Sequence, residues 1–306
     1  MLVECGWHSN MHIADAYVQA ARAACPSVRT LTLDGRDVEA RRRAWAGADV
    51  FCSLSDNVQE TFGLTPIEAM AAGLPVVVSD WDGYRGTVRD GIDGFRVPTM
   101  MPEAECGADF AKRHASGTDT CDAYCGLTAA FVAVDVEETV KAFERLFDSR
   151  ALRMQMGRAG QTRARELYDW SRIIPRYESL WAELKEERRR HPDAGRQPDA
   201  ACPWPARMDP FAAFKSYPTR TLSADTELRL ARSDAAGILK QWRELSMVKF
   251  ALSVVPSDED CDRILHTLKD GPCRASKLVE DVPEQRRAAA FRGLLWMLKM
   301  GALRVS

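Results

Sequence analysis

Two glutamates, Glu60 and Glu68, stand eight residues apart with Thr61-Phe62-Gly63-Leu64-Thr65-Pro66-Ile67 between them. An ionised carboxylate only accepts hydrogen bonds, can take two hydroxyl protons at once, and gains about 1.5–3 kcal/mol net from each such bond. Carboxylates of this kind suit polyhydroxylated ligands. The amides of Gly63, Leu64 and Thr65 fall where a helix is expected to begin. A helix N-terminus presents unpaired N–H groups and a positive dipole end, worth roughly 0.3–1 kcal/mol to an exposed anion such as phosphate. Gly63 would let backbone come close to that anion. Plainer roles also fit: Glu68 stands three residues after Thr65, as in a capping box, and Glu60 could be a solvated loop acid.

These groups need elements to hold them. The apolar run 50–54 reads as a buried parallel strand, and the loop after it carries Asp56 and Glu60. Thr65 is the predicted N-cap, and Pro66 suits a first helical turn because it has no amide hydrogen to lose. Gly73 and Pro75 stop the helix after roughly two turns. Val76-Val77-Val78 is the next buried strand. The helix N-terminus then lies at the carboxyl end of a parallel strand, where α/β sheets bind ligands.

The string from Glu60 through Phe62-Gly63 to Glu68, followed by Ala69-Met70-Ala71-Ala72-Gly73-Leu74-Pro75-Val76-Val77-Val78, resembles the paired-glutamate motif of retaining glycosyltransferases with the GT-B fold. The family is the large family 4, the glycosyl transferases group 1, which contains sucrose-phosphate synthases and bacterial mannosyltransferases. The resemblance implies that Glu60, with Phe62 and Gly63 beside it, binds the donor sugar and serves catalysis. It implies that the amides of Gly63, Leu64 and Thr65 hold the diphosphate, that Glu68 grips the ribose diol, and that Asp34 and Gly35 lie near the nucleobase. The co-substrate would be a nucleoside-diphosphate sugar, with no other cofactor and no metal. The run Asp90-Gly91-Ile92-Asp93-Gly94-Phe95-Arg96-Val97-Pro98 is similar to the same family, but Gly86 stands where the family has a glutamate.

With 306 residues, 46% of them hydrophobic, the chain can build a sizeable core and two domains. A net charge of −2 leaves no general electrostatic footprint for nucleic acid. No run approaches membrane-span length, the first residues lack a leader pattern, and nine cysteines are scattered singly. Together these point to a reducing, cytoplasmic setting. Cys121 and Cys125, with Cys106 and His114 nearby, suggest a zinc site at most weakly, since no second close pair completes a tetrahedral set.

Alternation of strand and helix signals runs from the first residues to about residue 185. Leu2-Val3-Glu4-Cys5 precedes a helix over 12–24; Val28, Leu31 and Leu33 form the next strand; residues 36–47 form an arginine-rich helix whose apolar face covers the sheet. His8 is expected to cap or pack rather than act as a base. Residues 99–130 read as an insertion at the sheet rim, with a strand over 132–134 and helices over 136–148, 151–168 and 170–190 after it. Residues 186–208 are assigned as a linker, four prolines among them. Beyond it, helices over 225–245 and 258–269, then Ala275 to Val279, Glu284 to Lys299 and a terminal strand, resemble a winged helix. Arg286, Arg287, Arg292 and Lys299 would suit a DNA reader, whereas Phe291, Leu294, Leu295, Trp296 and Leu298 suit a packed accessory domain.

The expected fold is therefore α/β: a doubly wound parallel sheet over residues 1–185, the GT-B donor half, with a helical winged-helix-like appendage over 209–306. The expected function is retaining glycosyl transfer from a nucleotide sugar to an acceptor the sequence does not name. An inactive nucleotide-sugar-binding module, or a winged-helix DNA-binding regulator, is the alternative; no nucleic-acid partner is expected on the main reading. The family also has an acceptor domain and a basic pair ahead of the donor half, and no Gly-Arg…Lys-Gly segment precedes Gly6. Either another chain supplies that domain or the protein begins upstream of Met1. A face including Glu60, Phe62, Trp81 and Tyr84 should then lie open, with Arg36 or Arg85 the nearest substitutes for the missing cations.

Overall fold

The computed structural model describes residues 1–191 and 207–306. The chain opens with β1 (Leu2–Gly6), α1 (Met11–Ala24), β2 (Thr30–Asp34) and α2 (Val38–Gly47). β1 and β2 pair in parallel, Leu2 opposite Thr30 and Gly6 opposite Asp34. Asn10 caps α1 by accepting from the Ile13 amide, and Asp37 caps α2 by accepting from Glu39 and Ala40, as short polar side chains do at helix starts. α2 buries none of its residues and Val38 is exposed, so it covers the sheet less than its pattern predicts. Only Trp45 and Ala48 reach a core.

The centre is β3 (Phe51–Ser53), α3 (Leu64–Ala71), β4 (Val76–Ser79), α4 (Tyr84–Thr87) and β5 (Gly94–Val97). β4 lies between β3 and β5, parallel to both, with Cys52 opposite Val77 and Val77 opposite Phe95. The adjacent parallel strands expected of the two apolar runs are thus present. Alternation along β4 explains the two-sided burial. Val76 and Val78 pack with Ile67 and Met70 of α3, while Val77 faces Phe95, Val97 and two later helices on the other side. Those helices are α7 (Val136–Asp148), through Ala142 and Leu146, and α8 (Arg150–Arg163), through Met156. The β1–β2 ladder is not hydrogen-bonded to β3, so the parallel order is divided between two ladders rather than carried by one continuous sheet.

Between β5 and α7 come β6 (Thr99–Pro102), α5 (Ala108–Ala115), α6 (Cys121–Ala129) and β7 (Ala133–Val134). After α8 a wider turn over Ala164–Tyr168 leads into α9 (Trp170–Arg190), which buries none of its residues. Residues 186–190, expected in the linker, continue this helix; the rest of that linker, 192–206, lies outside the described residues. No described helix is long and apolar enough to cross a membrane.

The C-terminal part comprises α10 (Pro210–Ala213), β8 (Arg220–Leu222), β9 (Glu227–Leu230), α11 (Ala235–Arg243), α12 (Ser246–Lys249), α13 (Asp258–Thr267), β10 (Cys273–Arg274), α14 (Ala275–Leu278), α15 (Glu284–Lys299) and β11 (Leu303–Val305). β9 pairs antiparallel with both β10 and β11. A strand there corrects the continuous helix expected over 225–245: Leu228 and Leu230 alternate with charged residues at period two, and Leu228 is buried.

The segment 99–130 does not sit at a rim. β6 pairs with β7 on one side and with β8 on the other. Phe110, Tyr124 and Phe131 share one core with Phe211, Leu222, Leu265 and Trp296. At its centre Arg292, only 2% exposed, stacks on Phe110 at 4.2 Å and donates to both carboxylate oxygens of Asp109 at 2.6 and 2.9 Å. Of the basic residues that would suit DNA, Arg292 and Lys299 are thus engaged inside the molecule, and Arg286 pairs with Asp260.

Candidate functional site

Glu60 ends a loop that leaves the carboxyl end of β3. The Ser55 carbonyl accepts from Ser79 Oγ at 2.6 Å, and the Asn57 carbonyl accepts from the Glu60 amide at 3.0 Å and from Trp81 Nε1 at 3.0 Å. Val58 is buried in the large core shared with the C-terminal part. The loop therefore has a fixed course, and Glu60 is half-buried at its end.

α3 begins earlier than predicted. Gly63 is its N-cap, with φ +71 and no side-chain capping bond, and Thr65 is the second helical residue. The expected Thr65–Glu68 capping box is not formed. The physical reason lies in Gly63: a positive φ, which glycine alone adopts freely, turns the chain into the helix without help from a hydroxyl. The first amides of α3 consequently meet no capping side chain, and Leu64 and Thr65 are exposed. Glu68 projects from the same helix into solvent, while Pro66, Ile67 and Met70 anchor the inner face.

Tyr84 ties these pieces together. Its ring fills the space beside Gly63, where an added Cβ would stand 2.1 Å from Cε1. Its hydroxyl is 2.9 Å from Ser53 Oγ and lies beside the Glu60 carboxylate. Burial pushes the Tyr84 phenol up to about 12; the Ser53 hydrogen bond opposes that rise and the Glu60 charge adds to it. Gly83 makes the second close approach: a Cβ there would lie 1.9 Å from the Thr61 carbonyl oxygen. Phe62 is exposed and meets Tyr168 edge-on with ring centroids 6.2 Å apart.

Glu60 and Gly63 are thus brought together, with Phe62, Leu64, Thr65 and Glu68 in the same loop and helix start. Asp34 and Gly35 belong to the other ladder. Among the described residues no hydrogen bond or ion pair joins them to the Glu60–Glu68 segment. Asp34 instead accepts from Arg36 Nε at 3.0 Å and Nη2 at 2.8 Å, and the guanidinium holds its carboxyl down at about 2.

The open face expected around Trp81 and Tyr84 is corrected. Trp81 is fully buried and Tyr84 is 1% exposed. Tyr217 covers Trp81, the rings meeting at 88° and 5.4 Å, and Gly63 leaves room for Tyr84. Both expected substitute cations have partners, Arg36 in a pair on the exposed surface and Arg85 in a half-buried one. Arg36 is held by Asp34, and Arg85 bonds Asp80 and the carbonyls of Ser216 and Tyr217 at 2.9 and 2.8 Å. His8 packs against Tyr17, centroids 4.9 Å apart. No group of three or more potential metal ligands occurs among the described residues.

Sequence reasoning missed Ser53, Val58, Tyr217 and Lys299 as parts of this neighbourhood. Only Lys299 left a signal: a lone cation closing the most apolar stretch of α15 is placed to be buried with its face.

Residues 33–105, which include every predicted site residue, match the family model of glycosyl transferases group 1. The phosphatidyl-myo-inositol mannosyltransferase of Mycobacterium tuberculosis (strain ATCC 25618 / H37Rv) is 40% identical over 72 residues, 24% of this chain and 19% of that protein. The D-inositol 3-phosphate glycosyltransferase of Geodermatophilus obscurus is 32% identical over 128 residues, 38% of this chain and 28% of that protein. The sulfoquinovosyl transferase SQD2 of Arabidopsis thaliana is 30% identical over 145 residues, 47% and 21% of the two chains. The similarity thus spans between a fifth and somewhat over a quarter of the length of these curated relatives.

Proposed function

We propose that the chain binds a nucleoside-diphosphate sugar at the start of α3 and transfers its glycosyl group to an acceptor with retention. The observation that carries this reading is the juxtaposition, at the carboxyl end of β3, of the half-buried Glu60 with the uncapped amides of α3. The match over residues 33–105 supports it. In this reading Glu60 accepts hydroxyl protons of the sugar, the amides of Gly63, Leu64 and Thr65 face the diphosphate, and Glu68 takes the ribose diol. Asp34 and Gly35, on the β1–β2 ladder, would lie toward the base.

The reaction breaks the bond from the anomeric carbon to the diphosphate oxygen, whose electron pair leaves with the diphosphate. The acceptor oxygen bonds the same face of that carbon and gives its proton to the departing phosphate, which serves as base. The chain contributes amides where leaving-group charge grows and orients the sugar through Glu60. A second reading, a nucleotide-sugar-binding module without turnover, is favoured by one observation: Arg85 is tied to Asp80 and to the carbonyls of Ser216 and Tyr217, away from α3.

Phosphate charge met by amides and a helix dipole without a cation is poorly compensated. Donor dissociation constants should therefore be no better than on the order of 0.1–1 mM, corresponding to ~4–5.5 kcal/mol. Titration with UDP-glucose, GDP-mannose and ADP-glucose, followed by a donor-hydrolysis assay, tests both readings. Binding with hydrolysis supports the enzyme, binding alone the module. Glu60→Gln should lower turnover about 10- to 100-fold, the worth of a charged hydrogen bond, with the fold intact. Unchanged turnover would reject its role.

A further inference from the structure

The loops at the carboxyl ends of all three central strands are held by the C-terminal part of the chain. After β3, the Lys299 ammonium pairs with Asp56, two residues before the buried Val58. The same ammonium donates to the carbonyls of Ala129 at 2.9 Å and Val132 at 3.1 Å. After β4, the Asp82 amide donates to the Tyr217 carbonyl at 3.1 Å, and Asp82 sits at φ +32, a backbone state that persists only where its surroundings impose it. Thr219 Oγ1 donates to Asp80 Oδ2 at 2.9 Å. After β5, the Thr99 amide donates to Thr219 Oγ1 at 2.8 Å.

The two halves of the candidate site therefore rest on different supports. α3, with the amides assigned to the diphosphate, is anchored by Ile67 and Met70 in the core of the parallel sheet. The Glu60 loop is anchored by Val58 and, through Trp81, in the core built with the C-terminal part. Granted the proposed role of Glu60 on the donor sugar, we infer that Lys299 is a positioning residue for the sugar half of the site. By holding Asp56 it fixes the loop from which Glu60 reaches the donor. It has no part in holding the diphosphate, which depends on α3.

This division predicts a separation that a general loss of stability would not produce. Lys299→Met should lower hydrolysis of whichever of UDP-glucose, GDP-mannose or ADP-glucose the wild type prefers by about 10- to 100-fold, the cost of a displacement of about 1 Å at a reacting centre, and weaken its binding to about that of the matching free diphosphate. Affinity for the matching UDP, GDP or ADP should stay within about twofold. Lys299→Arg, which keeps the charge, should recover most of the loss. Asp56→Asn, the loop partner of the pair, should reproduce the separation in a variant that leaves α15 unchanged. Calorimetry or ligand-observed NMR titration of the full chain reads all four. Equal loss for the sugar nucleotide and the free diphosphate, or no loss for either in Asp56→Asn, overturns the inference while leaving the role of Glu60 standing. A wild type that binds no sugar nucleotide more tightly than its diphosphate overturns both.

Discussion

Gly63→Ala tests the packing on which the site depends. Two costs combine. At φ +71 a non-glycine residue pays about 1–2 kcal/mol in backbone strain. The new methyl would also stand 2.1 Å from Cε1 and 2.9 Å from Cδ1 of Tyr84, a ring fully enclosed and tethered through its hydroxyl to Ser53. Overpacking against a side chain that cannot swing away adds about 1–3 kcal/mol. The sum is ~2–5 kcal/mol, or roughly 5–15 °C in melting temperature for a chain of this size. Urea unfolding of Gly63→Ala, Tyr84→Ala and the double variant separates the terms. With the ring removed, Gly63→Ala should cost only its backbone share, leaving a coupling of about 1–3 kcal/mol. A cost identical in both backgrounds, or a Gly63→Ala protein within ~0.5 kcal/mol of wild type, would refute the account of why a glycine stands here.

Removal of the carboxylate at Asp109 leaves the Arg292 guanidinium buried with the Cys106 carbonyl as its remaining partner. Because Asp109 itself is half exposed, Asp109→Ala should cost about 2–3 kcal/mol in urea unfolding rather than the full penalty of a buried pair; Asp109→Ala combined with Arg292→Met should recover part of it. Tyr84 and Tyr124 are both raised to about 12, chiefly by burial. Above pH 10 the unfolded chain releases these phenolic protons while the folded chain keeps them, so stability should fall as pH rises from 10 to 12, by about 1 kcal/mol per pH unit for each tyrosine. Tyr84→Phe should remove one share of that slope, as followed by unfolding across the range with absorbance of the tyrosinate. If the slope is the same in Tyr84→Phe, the burial argument for this hydroxyl fails. Glycosyl transfer by the proposed route meets leaving-group charge with amides, so EDTA should leave donor hydrolysis unchanged; loss restored by a divalent cation would count against that route.

The parts legible in the sequence are those set by near neighbours. Two short apolar runs bounded by turn residues gave β3 and β4 as adjacent buried parallel strands, and Gly73 with Pro75 marked the end of α3 for local steric reasons. The start of α3 was missed by two residues because Thr65 carries the stronger side-chain signal, while Gly63 acts through a backbone angle that no composition reports. Glu60, Gly63 and Glu68 were singled out by the resemblance of the whole string around them to a known family, the spacing of two glutamates alone being a weak signal. What holds Glu60 was not legible, because Val58, Trp81 and Tyr217 meet across the fold and nothing in Trp81's own surroundings says whether it will be covered. The strand over Glu227–Leu230 was read as helix since four alternating residues inside a charged stretch weigh little against flanking helical signals.

The contact between Asp56 and Lys299 closes a span of 243 residues. During synthesis the parallel strands β3, β4 and β5 and the helix start between them are all available long before α15 exists. At about 5–20 residues per second, the interval between emergence of Glu60 and of Lys299 is roughly 10–50 s. Contacts so distant along the chain are also the slowest to form. Over that interval a nascent chain presents the first amides of α3 beside a Glu60 loop that can bond Ser79 and Trp81 but not yet Lys299. Formation of α15 therefore adds the most distant of the contacts that hold the Asp56 loop.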